Sequence, residues 1–235
     1  MSSPGKVASD VPNHIGFIVD GNRRWAKSHG LPSYEGHLAG YEALKDVVLA
    51  AADAGVKYIS LYTFSTENWS RAEEEVAGLM KLMMRLFKTD LHILTDNDLK
   101  LEVLGSRQGL PDKMNQAIDQ AEATTASGQR STVAVCFNYS GQNEITAAVQ
   151  ALMEQAIEPE AIDTEAIRAN LYKPNVPDCD LIVRTSGEQR LSNFMMWRSA
   201  YSELIFLDKF WPDMRPKDVA DIIDEYKRRQ RRYGK

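Results

Sequence analysis

Three stretches combine arginine, hydroxyl, amide and carboxylate side chains in a way that could hold polyanions: DGNRRWAK at 20–27, STENWSR at 65–71 and RTSGEQRLS at 184–192. Each follows a short apolar run. Arginine forks and hydroxyls donate hydrogen bonds to phosphate oxygens, and loop glycines near helix starts let backbone N–H groups do the same. Asp20, Arg23, Arg24, Ser65, Asn68, Arg71, Arg184, Arg190 and Ser192 are therefore the first candidates, and their two separated arginine groups point to two phosphate sites. A carboxylate among such cations repels phosphate unless it holds a hard cation, which makes Asp20, with Glu203, a candidate Mg²⁺ ligand pair. A single Arg–Asp pair is more often a plain salt bridge. Three coincident stretches favour the anion site. His37 is a candidate general acid or phosphate donor, whereas His14, His29 and His92 read as ordinary surface or strand-edge histidines.

The apolar neighbours narrow the ligand. Trp25, Trp69, Trp197 and Trp211 lie within or shortly after the polar stretches, and Phe194-Met195-Met196 sits between two arginines. A phosphate site walled by aromatics and methionines suits a molecule with an anionic head and a greasy tail. Val76, Leu79, Met80, Met83, Leu86 and Phe87 form a helical stripe that is more often plain core than ligand wall, although a broad stripe can serve both. Several common chemistries lack their motifs: there is no GxxxxGK[ST] loop, no GxGxxG turn, no HExxH and no GxSxG.

The elements that must position these residues follow from periodicity. Strands are expected at 15–19, 56–64, 99–104, 132–137 and 180–183, with another at 202–207. Helices are expected around 44–51 with Gly55 as a stop, at 73–89, 112–126, 143–156, 163–171 and 217–232. DGNRRWAK reads as a loop. Alternation of strand and helix predicts an α/β fold with a mostly parallel central sheet and helices on both faces. Ligands then bind beyond the carboxyl ends of the strands, which is where all three polar stretches fall. Residues 1–13 read as a flexible N-terminal lead and 14–235 as one domain, since no repeat or linker divides them.

Composition bounds the class. The 235 residues are 43% hydrophobic and 26% charged, ordinary globular usage, with a net charge of -5 that gives no broadly basic face for nucleic acid. Cys136 and Cys179 form no disulfide framework or zinc ribbon, and no apolar run is long enough to span a membrane. A cytoplasmic location is expected, and peripheral membrane contact through a lipid product is compatible with it.

HIGFIVDGNRRWAK, Gly36-His37, LYTFSTENWSR, FNYSGQNEI, RTSGEQRLSNF and AYSELIFLDKFWPD resemble, in order and spacing, the motif blocks of the cis-prenyltransferases, the Z-type prenyl diphosphate synthases. The resemblance covers about His14 to Gly234, and the paired DDxxD motifs of the all-helical synthases are missing. It implies a homodimer, a hydrophobic tunnel between sheet and helices, and Mg²⁺-dependent condensation of isopentenyl diphosphate with an allylic diphosphate such as geranyl or farnesyl diphosphate. The product is then a Z-polyprenyl diphosphate, of undecaprenyl length or shorter; a non-catalytic partner subunit of the same fold is the alternative. By position, Asp20 resembles the metal-linked carboxylate, with Glu203 completing the coordination. Gly21, Asn22, Arg24 and His37 resemble the allylic diphosphate cradle, joined by Arg23 and Trp25. Arg184, Arg190 and Ser192 resemble the isopentenyl diphosphate site, and Ser65, Asn68, Trp69 and Arg71 the loop that positions the reacting ends. Arg232 and Gly234 resemble a terminal Arg-x-Gly motif that crosses to the dimer partner.

Departures from the bacterial pattern bear on product length rather than reaction class. Arg23 replaces a glycine and is the expected compensation for Ser33, which stands in place of an arginine. Ala72, Ser140, Gln142, Ser186 and Arg198 also differ. Thr63, Met80, Met83, Met84 and Phe87 are the expected wall or plug of the tunnel.

Overall fold

The computed structural model describes residues 10–229. Six strands, β1 (His14–Ile18), β2 (Tyr58–Ser65), β3 (Leu99–Leu104), β4 (Ser131–Tyr139), β5 (Leu181–Arg184) and β6 (Glu203–Phe206), form one sheet in the order β3-β4-β2-β1-β5-β6. Every pairing is parallel. β1 is central, with Ile15 opposite both Ile59 and Leu181, so its all-buried sequence HIGFI is what a strand covered on both faces requires.

Eight helices connect and cover the strands in the described chain: α1 (Asn22–Ser28), α2 (Ser33–Asp53), α3 (Glu73–Lys88), α4 (Leu91–Asp96), α5 (Asp112–Thr125), α6 (Gly141–Glu154), α7 (Thr164–Ala169) and α8 (Pro216–Arg228). The expected strands and longer helices all form, most ends within a few residues, but α2 begins at Ser33, well before the stretch around 44–51 where it was expected. Five short elements were not expected among the described residues: α1, in a stretch that reads as a loop, α4, and 3-10 turns at Thr66–Ser70, Pro159–Ala161 and Trp211–Asp213. Each is seven residues or fewer, too short to show a helical period.

The sheet has unequal faces. The larger core joins Phe17, Leu61, Val135 and Val183 to Val47 of α2, Leu86 of α3, Ile118 of α5 and Ile223 of α8. The stripe on α3 belongs to it, with Leu82, Met83, Leu86 and Phe87 buried. A smaller core on the opposite face holds Ile18, Tyr62, Cys136, Tyr139, Ile182, Phe194 and Met195. His14 is fully buried rather than at a surface: its ring meets Ser60 Oγ at 2.7 Å and the Pro177 carbonyl at 2.8 Å, and burial pushes its pKa down to about 4. Arg198 is buried as well. Alternating pattern alone cannot separate a wet strand edge from a buried one.

Candidate active site

Parallel strands deliver their carboxyl ends to one edge, and an open cavity of about 970 Å³ lies there. Its wall includes Asp20, Gly21, Asn22, Arg23, Arg24, His37, Ser65, Asn68, Arg71, Arg184, Arg190 and Ser192. The three polar stretches therefore converge as their strand-end positions predicted.

Asp20 follows β1 and is fixed from two sides. Its backbone N–H donates to Thr185 Oγ1 at 3.0 Å, and Thr185 donates to its carbonyl at 2.6 Å. One carboxylate oxygen accepts the Gly21 N–H at 2.7 Å, and the other faces Arg184 at 2.9 Å and Arg24 at 3.1 Å. Burial raises the Asp20 pKa, but the Arg184 hydrogen bond and the charges of Arg184 and Arg24 more than reverse this, so the carboxyl stays below its ordinary value. It is an anion at neutral pH. Arg184, buried at the end of β5, also donates to the Arg190 carbonyl at 2.6 Å and Ser192 Oγ at 2.8 Å. Its buried Nε has no partner among the described residues.

The opposite wall is built on α1 and α2. These helices touch because Gly36 and Gly40 leave their facing surface bare: a Cβ on Gly36 would lie 2.1 Å from the Asn22 carbonyl, and one on Gly40 would lie 2.4 Å from Asn22 Oδ1. The approach brings Asn22 Nδ2 to 3.5 Å from His37 Nδ1. Glu75, in the first turn of α3, gathers the donors of this wall, with His37 Nε2 at 3.1 Å, Arg71 at 2.8 Å and Arg23 at 3.5 Å. Burial lowers the His37 pKa and Glu75 only partly opposes it, so the ring is neutral at pH 7 and can still donate one N–H. Ser65 and Asn68 fix the intervening turn through a reciprocal capping box.

Other candidates are placed elsewhere. None of the four tryptophans lines the large cavity, so the expected aromatic wall does not form there; Tyr62, Leu79, Ile18, Val19 and Met196 supply its apolar part. Trp25 donates to Asp213 at 2.8 Å and stacks on His29, while Trp69 donates to Asn138 at 2.8 Å. Trp211 is buried and donates to the Gly40 carbonyl at 2.8 Å. An indole N–H needs a partner when it is covered, and a neighbouring side chain or carbonyl supplied it. Glu203 begins β6 opposite Leu181, whereas Asp20 lies beyond the Ile18–Arg184 level, about 10 Å further along the strands. One protomer thus does not bring Glu203 to Asp20; Glu203 instead accepts from Arg229 at 3.2 Å. Arg232 and Gly234 lie outside the described residues.

Four acidic or amide residues of the cavity escaped the sequence reading as site residues: Glu67, Glu188, Gln142 and Asn193. Glu188 accepts from Arg24 at 3.0 Å and Arg190 at 2.5 Å. Its position between candidate arginines was the available signal. Among the described residues no cluster of three or more His, Cys, Asp or Glu side chains forms a ready metal cage. Mg²⁺ commonly uses one or two carboxylates with substrate phosphate and water, so an ionised Asp20 facing the cavity fits that ion.

Beyond the polar rim two small apolar cavities lie between α2, α3 and the sheet, and the first shares Val19, His37, Thr63 and Leu79 with the wall of the open cavity. The first, of about 50 Å³, lies against Val19, His37, Tyr41, Thr63, Leu79 and Leu86, and the second, of about 20 Å³, lies beneath Leu44, Leu86 and Val133. Thr63 and Met83 of the expected tunnel residues line the first. Phe87 does not; it is buried 6.0 Å from the Phe137 ring.

Known proteins resemble this chain in sequence and in fold. The family model described as "Putative undecaprenyl diphosphate synthase" matches residues 18–234. Isoprenyl transferase 2 of Bradyrhizobium diazoefficiens is 43% identical over 99% of this chain and 94% of its own, and the isoprenyl transferase of Thermotoga maritima is 42% identical over 95% and 97%. The crystal structure of lavandulyl diphosphate synthase from Lavandula x intermedia in complex with dimethylallyl diphosphate superposes with a TM-score of 0.91 at 30% identity, covering 96% of this chain and 99% of that one. With polar blocks, sheet and full-length similarity in agreement, the chain belongs to the cis-prenyltransferase family of isoprenyl transferases.

Proposed function

We propose that this isoprenyl transferase condenses isopentenyl diphosphate with an allylic diphosphate, geranyl or farnesyl, to give a Z-polyprenyl diphosphate. The observation that carries the reading is one cavity with cationic groups on two walls, an ionised Asp20 beside both, and a small apolar cavity adjoining it between α2 and α3. The lavandulyl diphosphate synthase holds dimethylallyl diphosphate, an allylic diphosphate, which supports the same substrate class here. Retention of Asp20, Arg184, Arg190 and Ser192 around one cavity favours the enzyme over a non-catalytic partner subunit.

In this reading Asn22, Arg23, Arg24, Arg71 and His37 hold the allylic diphosphate, and Arg184, Arg190 and Ser192 hold isopentenyl diphosphate. Charge accumulates on the departing diphosphate as the allylic carbon–oxygen bond breaks. Arginine and N–H donors already aimed at that position stabilise it without reorganising, so catalysis is electrostatic rather than covalent. The new carbon–carbon bond forms from the isopentenyl double bond, and loss of a proton completes the step. Asp20 would hold Mg²⁺, which when bound would supply positive charge that offsets the charge on the leaving group. The growing chain enters the apolar space beyond Thr63. A homodimer in the cytoplasm, in which Arg232 and Gly234 reach across to complete the partner protomer's site, belongs to the same proposal. Among the described residues no helix is long and apolar enough to cross a membrane.

Incubation of the purified protein with labelled isopentenyl diphosphate, Mg²⁺ and either geranyl or farnesyl diphosphate tests the reading. Label in an organic-extractable diphosphate longer than the primer is expected. No incorporation with either primer overturns it.

A further inference from the structure

In the sheet β5 is separated from β4 by β1 and β2. The chain after β5 nevertheless returns across the ends of both: Tyr62 of β2 donates to the Ser192 carbonyl at 3.3 Å, and the segment then reaches the start of α6 beyond β4. Asn193 is where this crossing is fastened. Its carbonyl accepts the Gly141 N–H at 2.8 Å, its Oδ1 accepts the Gln142 N–H at 2.9 Å, and its Nδ2 donates to Ser140 Oγ at 2.7 Å and Glu67 Oε1 at 3.1 Å. One side chain thus ties together the ends of β2, β4 and β5.

Two further observations show that the tie is tight. Ser192, Asn193 and Met195 all have left-handed φ, at 49°, 65° and 46°, a region in which asparagine is enriched and other side chains are uncommon. Gly141 has no room for a side chain, since a Cβ there would lie 2.8 Å from both the Asn193 carbonyl and Met196 Cγ. Glu67 sits in the same turn as Asn68, and Ser192 holds Arg184. Burial pushes the Glu67 carboxyl up, but its own backbone N–H and the Asn193 amide hold it below the ordinary range, so it accepts as an anion.

We infer that Asn193 is a positioning residue for the transfer reaction, one that sets the spacing between the isopentenyl diphosphate site at Arg184 and Ser192 and the loop carrying Asn68. The inference rests on the substrates proposed above. Asn193 acts by hydrogen-bond polarity: it accepts from the α6 start and donates to Glu67. Asp at this position keeps the acceptor for Gln142 but sets two carboxylates face to face. Adding Gln at position 67 reverses the bond, because its amide donates to the new carboxylate.

Wild-type activity with isopentenyl diphosphate and geranyl diphosphate, measured first, tests the substrate reading alone. Asn193→Ala and Asn193→Asp are each expected to raise the KM for isopentenyl diphosphate about tenfold or more, the scale of one lost charge-assisted hydrogen bond. Geranyl diphosphate binding, titrated by tryptophan fluorescence, is expected to weaken far less, because of its groups only Arg71 is carried by the turn that Asn193 fastens. Asn193→Asp with Glu67→Gln should recover most of the loss. A double variant as impaired as Asn193→Asp, or equal weakening of both substrates by Asn193→Ala, overturns the inference. Amide exchange across residues 66–70 and 141–142 needs no substrate: it should quicken in Asn193→Asp and slow again in the double variant, and the absence of that reversal also overturns it.

Discussion

Arg184 meets Asp20 at the carboxyl ends of β5 and β1, and Arg198 meets Glu144 beneath α6; the same chemical pair is open in the first place and closed in the second. Arg198 spends every nitrogen. Nε donates to the Val176 carbonyl at 3.2 Å, Nη2 to the Tyr172 carbonyl at 2.6 Å and the Lys173 carbonyl at 3.3 Å, and Nη1 to Glu144. The other Glu144 oxygen accepts the Tyr139 hydroxyl at 2.5 Å. Arg184, by contrast, leaves a buried Nε unpartnered among the described residues, and the side chain of its partner Asp20 is 27% exposed. A saturated buried network fixes one conformation, while a network with donors in reserve beside a cavity is equipped to take a ligand.

Removing one member of each pair should separate stability from turnover. Arg198→Ala strands a buried Glu144 and is expected to destabilise the fold by about 3–5 kcal/mol, with the combined Glu144→Leu and Arg198→Met change costing far less. Urea unfolding of the two variants gives the comparison. A loss below about 1 kcal/mol for Arg198→Ala, the scale of an exposed pair, would mean that the interior network is no lock. Asp20→Ala should do the reverse: the fold survives, and kcat falls about 100-fold or more at saturating Mg²⁺, the scale of one lost electrostatic group. Activity above a tenth of wild type would remove Asp20 from the mechanism.

The rim was legible in the sequence and the interior was not, for a physical reason. Polar residues directly after β-branched runs have one destination in a parallel sheet, so Asp20, Ser65 and Arg184 could be placed together without coordinates. Arg198 could not be. Arginine is exposed by default, and its burial depends on carbonyls at Tyr172, Lys173 and Val176 that only the folded chain brings near. The tryptophans misled because their proximity to polar stretches says nothing about where an indole points. Glu203 shares a motif with the site yet sits at the amino end of its strand, and three residues of register decide the difference.

His14 offers a smaller test of the same interior. The unfolded histidine titrates near 6.5 and the folded one near 4, so this contribution to stability is fully present above about pH 6.5 and is lost as pH falls toward 4. At pH 5 the loss should reach about 2 kcal/mol relative to pH 7. Urea unfolding at both pH values measures it. His37, also lowered, adds loss of the same sign, so His14→Asn, which cannot take up the proton, should flatten only part of the slope. An unchanged slope would place His14 in a wetter site than its contacts with Ser60 and Pro177 describe.

The inner apolar cavities stand between the two settings, sharing lining residues with the rim at one side and with the core at the other, and their test perturbs free energy least. Each methylene of product buried there gains about 0.8 kcal/mol, so elongation continues until packed side chains resist. Thr63 stands at the mouth, shared by the open cavity and the first inner one, and Leu86 lies between the inner two. Thr63→Leu should shorten the products. Leu86→Val, which removes one methylene from a side chain that lines both inner cavities, of about 50 and 20 Å³, should lengthen them by about one five-carbon unit while costing roughly 0.5–1.5 kcal/mol of stability. Phe87→Ala is the control: its ring packs on Phe137 and lines none of these spaces, so it should lower stability and leave chain length alone. Thin-layer sizing of labelled products decides it, and an unchanged distribution in both cavity variants would place the growing chain elsewhere.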